Sequence, residues 1–131
     1  IIYTGGFGTS LYSVLLEGNG AVIDLQGGTG IWMSGDESSS PPLVMTKCTI
    51  INGGYYGVNF SGYGNHEIID CNFINDEWGI QVGEHSYTTI RNCNLIDNMY
   101  GLAIIGLDAE VNLAYCNGWG NTETYMSNCP G

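Results

Sequence analysis

The chain has 131 residues, enough for one domain, and 44% of them are apolar, enough for a sizeable core. It carries 2 basic residues, Lys47 and Arg91, against 13 acidic ones, for a net charge of −11. That balance excludes binding of nucleic acid by counterion release and adhesion to anionic lipid, both of which need many Lys and Arg. An anionic polysaccharide would be repelled unless a cation bridged it to the chain, which leaves neutral glycans or more protein as partners.

No run of 18 apolar residues occurs, so no membrane-spanning helix is expected. Ile1 reads as the start of a mature or excised chain. Gly is frequent, at 21 residues, and Lys is scarce, a composition that points to an exported protein, extracellular or on a cell surface.

The elements repeat. Gly8, Gly30, Gly57, Gly79 and Gly101 are spaced 22, 27, 22 and 22 apart. Residues 1–7, with Gly5 and Gly6, precede the first marker. The run Leu16-Glu17-Gly18-Asn19-Gly20-Ala21-Val22-Ile23-Asp24 follows it. The one long step contains Asp36–Pro42, a loop by composition, and without about five of its residues the step becomes 22. A second series, Cys48, Cys71, Cys93 and Cys116, is spaced 23, 22 and 23 apart.

The residues between the markers align as well. Cys48-Thr49-Ile50-Ile51-Asn52 matches Cys71-Asn72-Phe73-Ile74-Asn75 and Cys93-Asn94-Leu95-Ile96-Asp97. Tyr56-Gly57-Val58-Asn59-Phe60 matches Trp78-Gly79-Ile80-Gln81-Val82 and Tyr100-Gly101-Leu102-Ala103-Ile104. No piece is long enough for a typical helix, and the local alternation has period two. Val58 and Phe60 point inward with Asn59 outward, and Ile80, Gln81 and Val82 repeat this. Met45, Ile68, Ile90 and Leu113 form a second inward column, and Ile50, Phe73 and Leu95 a third. Stacking the coils buries like on like at about 4.8 Å. The expectation is an all-β, right-handed, single-stranded parallel β-helix of one domain, 1–131, with about five or six coils. Residues 117–131 read as an irregular C-terminal end.

The pattern Ile69-Asp70-Cys71-Asn72-Phe73-Ile74 … Trp78-Gly79-Ile80-Gln81-Val82 resembles the generic repeat of the pectate-lyase-like superfamily. The run 16–24 resembles an early coil of polygalacturonases and related proteins. The resemblance implies that the Gly-Ile-Gln-Val piece lies on the sheet that carries the active cleft in the family's enzymes. It places the Ile-Arg-Asn-Cys piece on the next sheet, and the Cys column in a tight turn where many relatives place a ladder of Asn. A family lyase needs calcium-holding carboxylates and a base, and a family hydrolase needs clustered Asp. The outward column here is Asn59, Gln81 and Ala103, with neither acid nor base, so no catalytic residue carries over.

Several residues remain as candidates. Tyr56, Trp78 and Tyr100 form an aromatic column, either a self-stacked ladder or, with Asn59 and Gln81, a platform for successive sugar rings. Asp76, Glu77 and Asp97 share one turn in adjacent coils, either as a solvated acidic edge or as calcium ligands, the one cofactor the chain suggests. Cys48, Cys71, Cys93 and Cys116 read as an internal ladder, with a Cys116–Cys129 disulfide as the competing arrangement. Lys47 and Arg91 fall near Asp70 and Asn92, where a surface ion pair is expected. His66 and His85 read as exposed turn residues, and Asn59-Phe60-Ser61 as a glycosylation sequon.

Two functions follow. The first is a non-catalytic structural solenoid module that stacks end to end with copies of itself or continues into adjoining coils of a fibre or adhesin. The second is a carbohydrate-binding or polysaccharide-cleaving domain.

Overall fold

A computed structural model describes residues 2–3, 9–12, 15–35 and 41–125. They form fifteen strands and no helix. The first five are β1 (Ile2–Tyr3), β2 (Thr9–Tyr12), β3 (Leu15–Asp24), β4 (Ile31–Gly35) and β5 (Val44–Ile51). A regular coil follows in β6 (Tyr56–Gly62), β7 (Gly64–Ile69) and β8 (Asn72–Ile74). It recurs as β9 (Trp78–Val82), β10 (Ser86–Arg91) and β11 (Asn94–Ile96). The last coil is β12 (Tyr100–Ile104), β13 (Glu110–Ala114) and β14 (Asn117–Trp119), followed by β15 (Glu123–Tyr125).

All pairing is parallel. A six-stranded sheet runs β15-β12-β9-β6-β4-β2, and the other pieces make a nine-stranded sheet. The chain is therefore a parallel β-helix of about four turns, slightly fewer than expected, with partial rungs at either end. Residues 36–40 of the inserted loop lie outside the described residues, and Pro41 and Pro42 are exposed.

The inward columns stack in register. Leu16, Met45, Ile68, Ile90 and Leu113 form one, and Ile23, Ile50, Phe73 and Leu95 another. On the six-stranded sheet the columns are Ile31–Val58–Ile80–Leu102 and Met33–Phe60–Val82–Ile104. Most of these side chains are fully buried, and each contributes roughly 1.5–3 kcal/mol.

Two corners in each coil turn through the left-handed region. Lys47, Asp70, Asn92 and Tyr115 hold φ between 53° and 57° at one corner, and Asn52, Asn75 and Asp97 between 52° and 60° at the other. Asn and Asp tolerate this conformation best, because their short side chains bond locally. Five of the seven positions carry them.

The C-terminal end differs from expectation. Residues 117–119 and 123–125 form strands: Asn117, Gly118 and Trp119 pair with Asn94, Leu95 and Ile96, and Glu123 pairs with Tyr100. Backbone hydrogen bonding extends the ladder although Gly118 brings no apolar side chain to the inward position.

Candidate functional site

The outer face of the six-stranded sheet carries the candidate site. Gly57 shapes its entry. A Cβ there would stand 2.5 Å from Asp76 Oδ2 and 2.9 Å from Phe73 Cδ1, so Gly57 faces inward, as Val58 does. Two consecutive inward residues interrupt the alternation and turn Tyr56 outward.

Trp32, Asn59, Gln81 and Ala103 align on the outward face. Asn59 Nδ2 donates to Gln81 Oε1. Asn59 Oδ1 is buried and has no partner. Trp32 is 50% exposed, and its Nε1 donates to Ser61 Oγ at 2.7 Å. Trp32, Asn59 and Gln81, together with Tyr56, Ser34 and Glu84, line an open groove. Sequence reasoning missed Trp32, although it follows Gly30 by two residues as Asn59 follows Gly57.

The aromatic column is only partly a stack. Trp78 and Tyr100 lie 4.4 Å apart between ring centroids at 30°, whereas Tyr56 meets Tyr55 edge-on at 4.6 Å. Trp78 Nε1 donates to Glu77 Oε1 at 3.2 Å. Burial, reinforced by Tyr55, raises the pKa of the Tyr56 phenol.

His85 stands at the groove edge. Its Nδ1 pairs with Asp108 Oδ2, and its backbone N–H donates to Asp108 Oδ1 at 3.1 Å. That backbone bond, followed by the imidazole, lowers the Asp108 pKa. Tyr63 stacks flat on the His85 ring at 4.4 Å. His85 is a turn residue with a solvent-facing side chain, and it has defined partners. His66 differs from expectation. It is buried, accepts the Leu43 N–H at Nδ1 (3.2 Å) and packs against Phe60. It occupies an inward position in register with Thr88.

The acidic turn does not bring Asp76, Glu77 and Asp97 together. Asp76 points inward, with Oδ1 accepting the Gly53 N–H at 2.6 Å. Glu77 is engaged by Trp78, and Asp97 is exposed on the outer surface. Among the described residues no three His, Cys, Asp or Glu side chains converge as metal ligands. Sequence reasoning also missed what Asp76 belongs to, an interior ladder with Asn98 and Asn121. Asn98 Oδ1 accepts the Asp76 N–H at 2.9 Å, and its Nδ2 donates to the Phe73 carbonyl at 3.1 Å. Asn121 repeats both bonds, to the Asn98 N–H at 2.9 Å and the Leu95 carbonyl at 2.7 Å. The spacing of 22 and 23 was the available signal.

The four cysteines stand at the other corner. Each thiol donates to the carbonyl two residues back, at 3.2–3.4 Å, and reaches a second carbonyl one coil below. Among the described residues none forms a disulfide; Cys129, the partner of Cys116 in the competing arrangement, lies outside them. Hydrogen bonding to Cys71, then burial, pushes the Cys48 thiol pKa up. Lys47 pairs with Glu17 at 3.5 Å, not with Asp70, which accepts from Asn92 Nδ2 at 2.6 Å. Asn59 is 6% exposed and Phe60 fully buried, so the sequon is closed to glycosylation in the folded chain.

A family model described as a right-handed β-helix region matches residues 3–129. The chain belongs to the right-handed β-helix family. No curated protein and no solved structure matches it. Membership of the right-handed β-helix family is consistent with the pectate-lyase-like resemblance and sets the architecture; a shared fold carries no particular activity.

Proposed function

We propose that this β-helix is a non-catalytic structural module, extracellular or on a cell surface, whose terminal rungs accept further coils. Those coils come from copies of itself, as in a fibre, or from adjoining segments of a longer fibre or adhesin. The carrying observation is the pair of end rungs of one inward column. Leu16 and Leu113 head and close it, and both are half-buried whereas Met45, Ile68 and Ile90 between them are fully buried. A further coil on either end would complete that burial and pair the open strand edge. Trp119 and Tyr115, beside the closing rung, are 77% and 84% exposed and add apolar area to the same end. Light scattering tests this. Mass should grow with concentration, and Leu113→Asp should hold the protein monomeric. A discrete monomer at high concentration, unchanged by Leu113→Asp, overturns self-stacking.

A second reading is supported by the groove. Trp32 presents a half-exposed ring face there, beside the hydroxyl of Ser34 and the carboxylate of Glu84. A neutral glycan offers both a hydroxyl donor and an apolar ring face, and the net charge of −11 disfavours an anionic one. Trp32→Ala should then abolish retention on a glycan array. Absence of any binding by the unmutated protein, with or without calcium, eliminates this reading.

A further inference from the structure

The interior ladder has one rung of different chemistry. Asn98 and Asn121 each use Oδ1 to accept the N–H of the preceding rung and Nδ2 to donate to a carbonyl of the core column, Phe73 and Leu95 respectively. Asp76 keeps the first half of this pattern, its Oδ1 accepting from Gly53 N–H. Its Oδ2 occupies the place of the amide donor. The core column runs Ile50–Phe73–Leu95 in strict register, so the carbonyl equivalent to those of Phe73 and Leu95 is that of Ile50. As an ionised carboxylate Asp76 has nothing to donate there. Its Oδ2 is buried without a partner and the residue is 3% exposed.

We infer that Asp76 is a neutral carboxylic acid in the folded coil, its Oδ2–H replacing the missing amide donor toward Ile50, and that its ionisation loosens this coil as pH rises. Burial acts in the same direction, raising its pKa from 3.8 to about 8, opposed by the Gly53 hydrogen bond. The surrounding elements supply no compensating cation. The titratable groups on them are Tyr55 and Tyr56 before and in β6, Glu77 beside it and Asp97 in the turn above. None of the four hydrogen-bonds to Asp76, and Glu77 is held by Trp78. Lys47 is committed to Glu17 at the opposite corner. Ionisation therefore leaves a bare charge behind Gly57, at the root of the strand that carries Tyr56 and Asn59 of the groove.

A folded pKa raised above the unfolded one gives stability that is complete below about pH 4 and is lost as pH rises through about 8. Two measurements test this. The Asp76 carboxyl carbon, assigned by NMR in the unmutated protein, should titrate near pH 8. Thermal melts should fall by about 5 °C between pH 6.5 and 9 in the unmutated protein, and stay level in Asp76→Asn, which restores the amide. Titration of Asp76 near the ordinary carboxyl value, or the same pH profile in both proteins, overturns the inference. The NMR titration decides alone if the variant does not fold.

Discussion

Substituting Asn98 by Ala tests whether the interior ladder, rather than the aliphatic columns alone, holds the coils in register. Asn98 is 2% exposed and satisfies two buried backbone groups, the Asp76 N–H and the Phe73 carbonyl. Alanine leaves both without a partner, at about 1–3 kcal/mol each, so the loss should be about 2–6 kcal/mol. Asn94→Ala is the control. Asn94 also bonds the rungs on either side, to Asn72 Oδ1 at 2.7 Å and from Asn117 Nδ2 at 3.2 Å, but it is only half-buried. Water can replace those bonds, and the loss should be about 1 kcal/mol or less. Urea unfolding followed by tryptophan fluorescence and by far-UV circular dichroism measures both. Coincidence of the two probes and an unchanged m-value show that one transition is being compared, which a solenoid does not guarantee. Equal losses for the two variants would refute the reasoning.

Three further outcomes are expected. Gly57→Ala should destabilise by about 1–3 kcal/mol or more, because its Cβ would meet the Gly79 carbonyl at 2.6 Å and Asp76 Oδ2 at 2.5 Å; calorimetry reads this. Burial lowers the His66 pKa below 6.5, opposed by the Gly62 carbonyl. Its share of stability is therefore present above pH 6.5 and lost as pH falls through the lower folded value, opposite in sign to that of Asp76; denaturation at pH 7.5 and 5.5 should show the loss, and His66→Gln should reduce it. Cys48, Cys71 and Cys93 are buried and hydrogen-bonded, so maleimide should leave them unmodified until denaturant is added; rapid labelling of the native chain would contradict their placement.

The columns were legible because a solenoid repeats each inward position once per coil, and Met45, Ile68, Ile90 and Leu113 keep that spacing with apolar side chains of similar size. The cysteine corner was legible for the same reason. Polar interior positions were not. Asp76, Asn98 and Asn121 repeat as regularly as the cysteines, yet their side chains alone do not distinguish a solvated edge from a ladder that satisfies buried backbone. That depends on which way the turn aims them, and the left-handed φ of Asn75 and Asp97 just before the rungs sets that direction. His66 lies two residues before the inward Ile68, so alternation already placed it inside; its polarity argued against burial until the Leu43 N–H supplied a partner. Trp32 was legible by its place two residues after Gly30, matching Asn59 after Gly57, but its coil drew no candidate. The β14 rung was hidden by Gly118, which keeps the register through backbone bonds alone.

Electron microscopy of the assembled protein tests the structural reading most directly. If the end rungs with Leu16 and Leu113 are docking surfaces, filaments one solenoid wide should lengthen with protein concentration and be absent in Leu113→Asp. Discrete particles of single-chain size at every concentration, in both proteins, would contradict self-stacking.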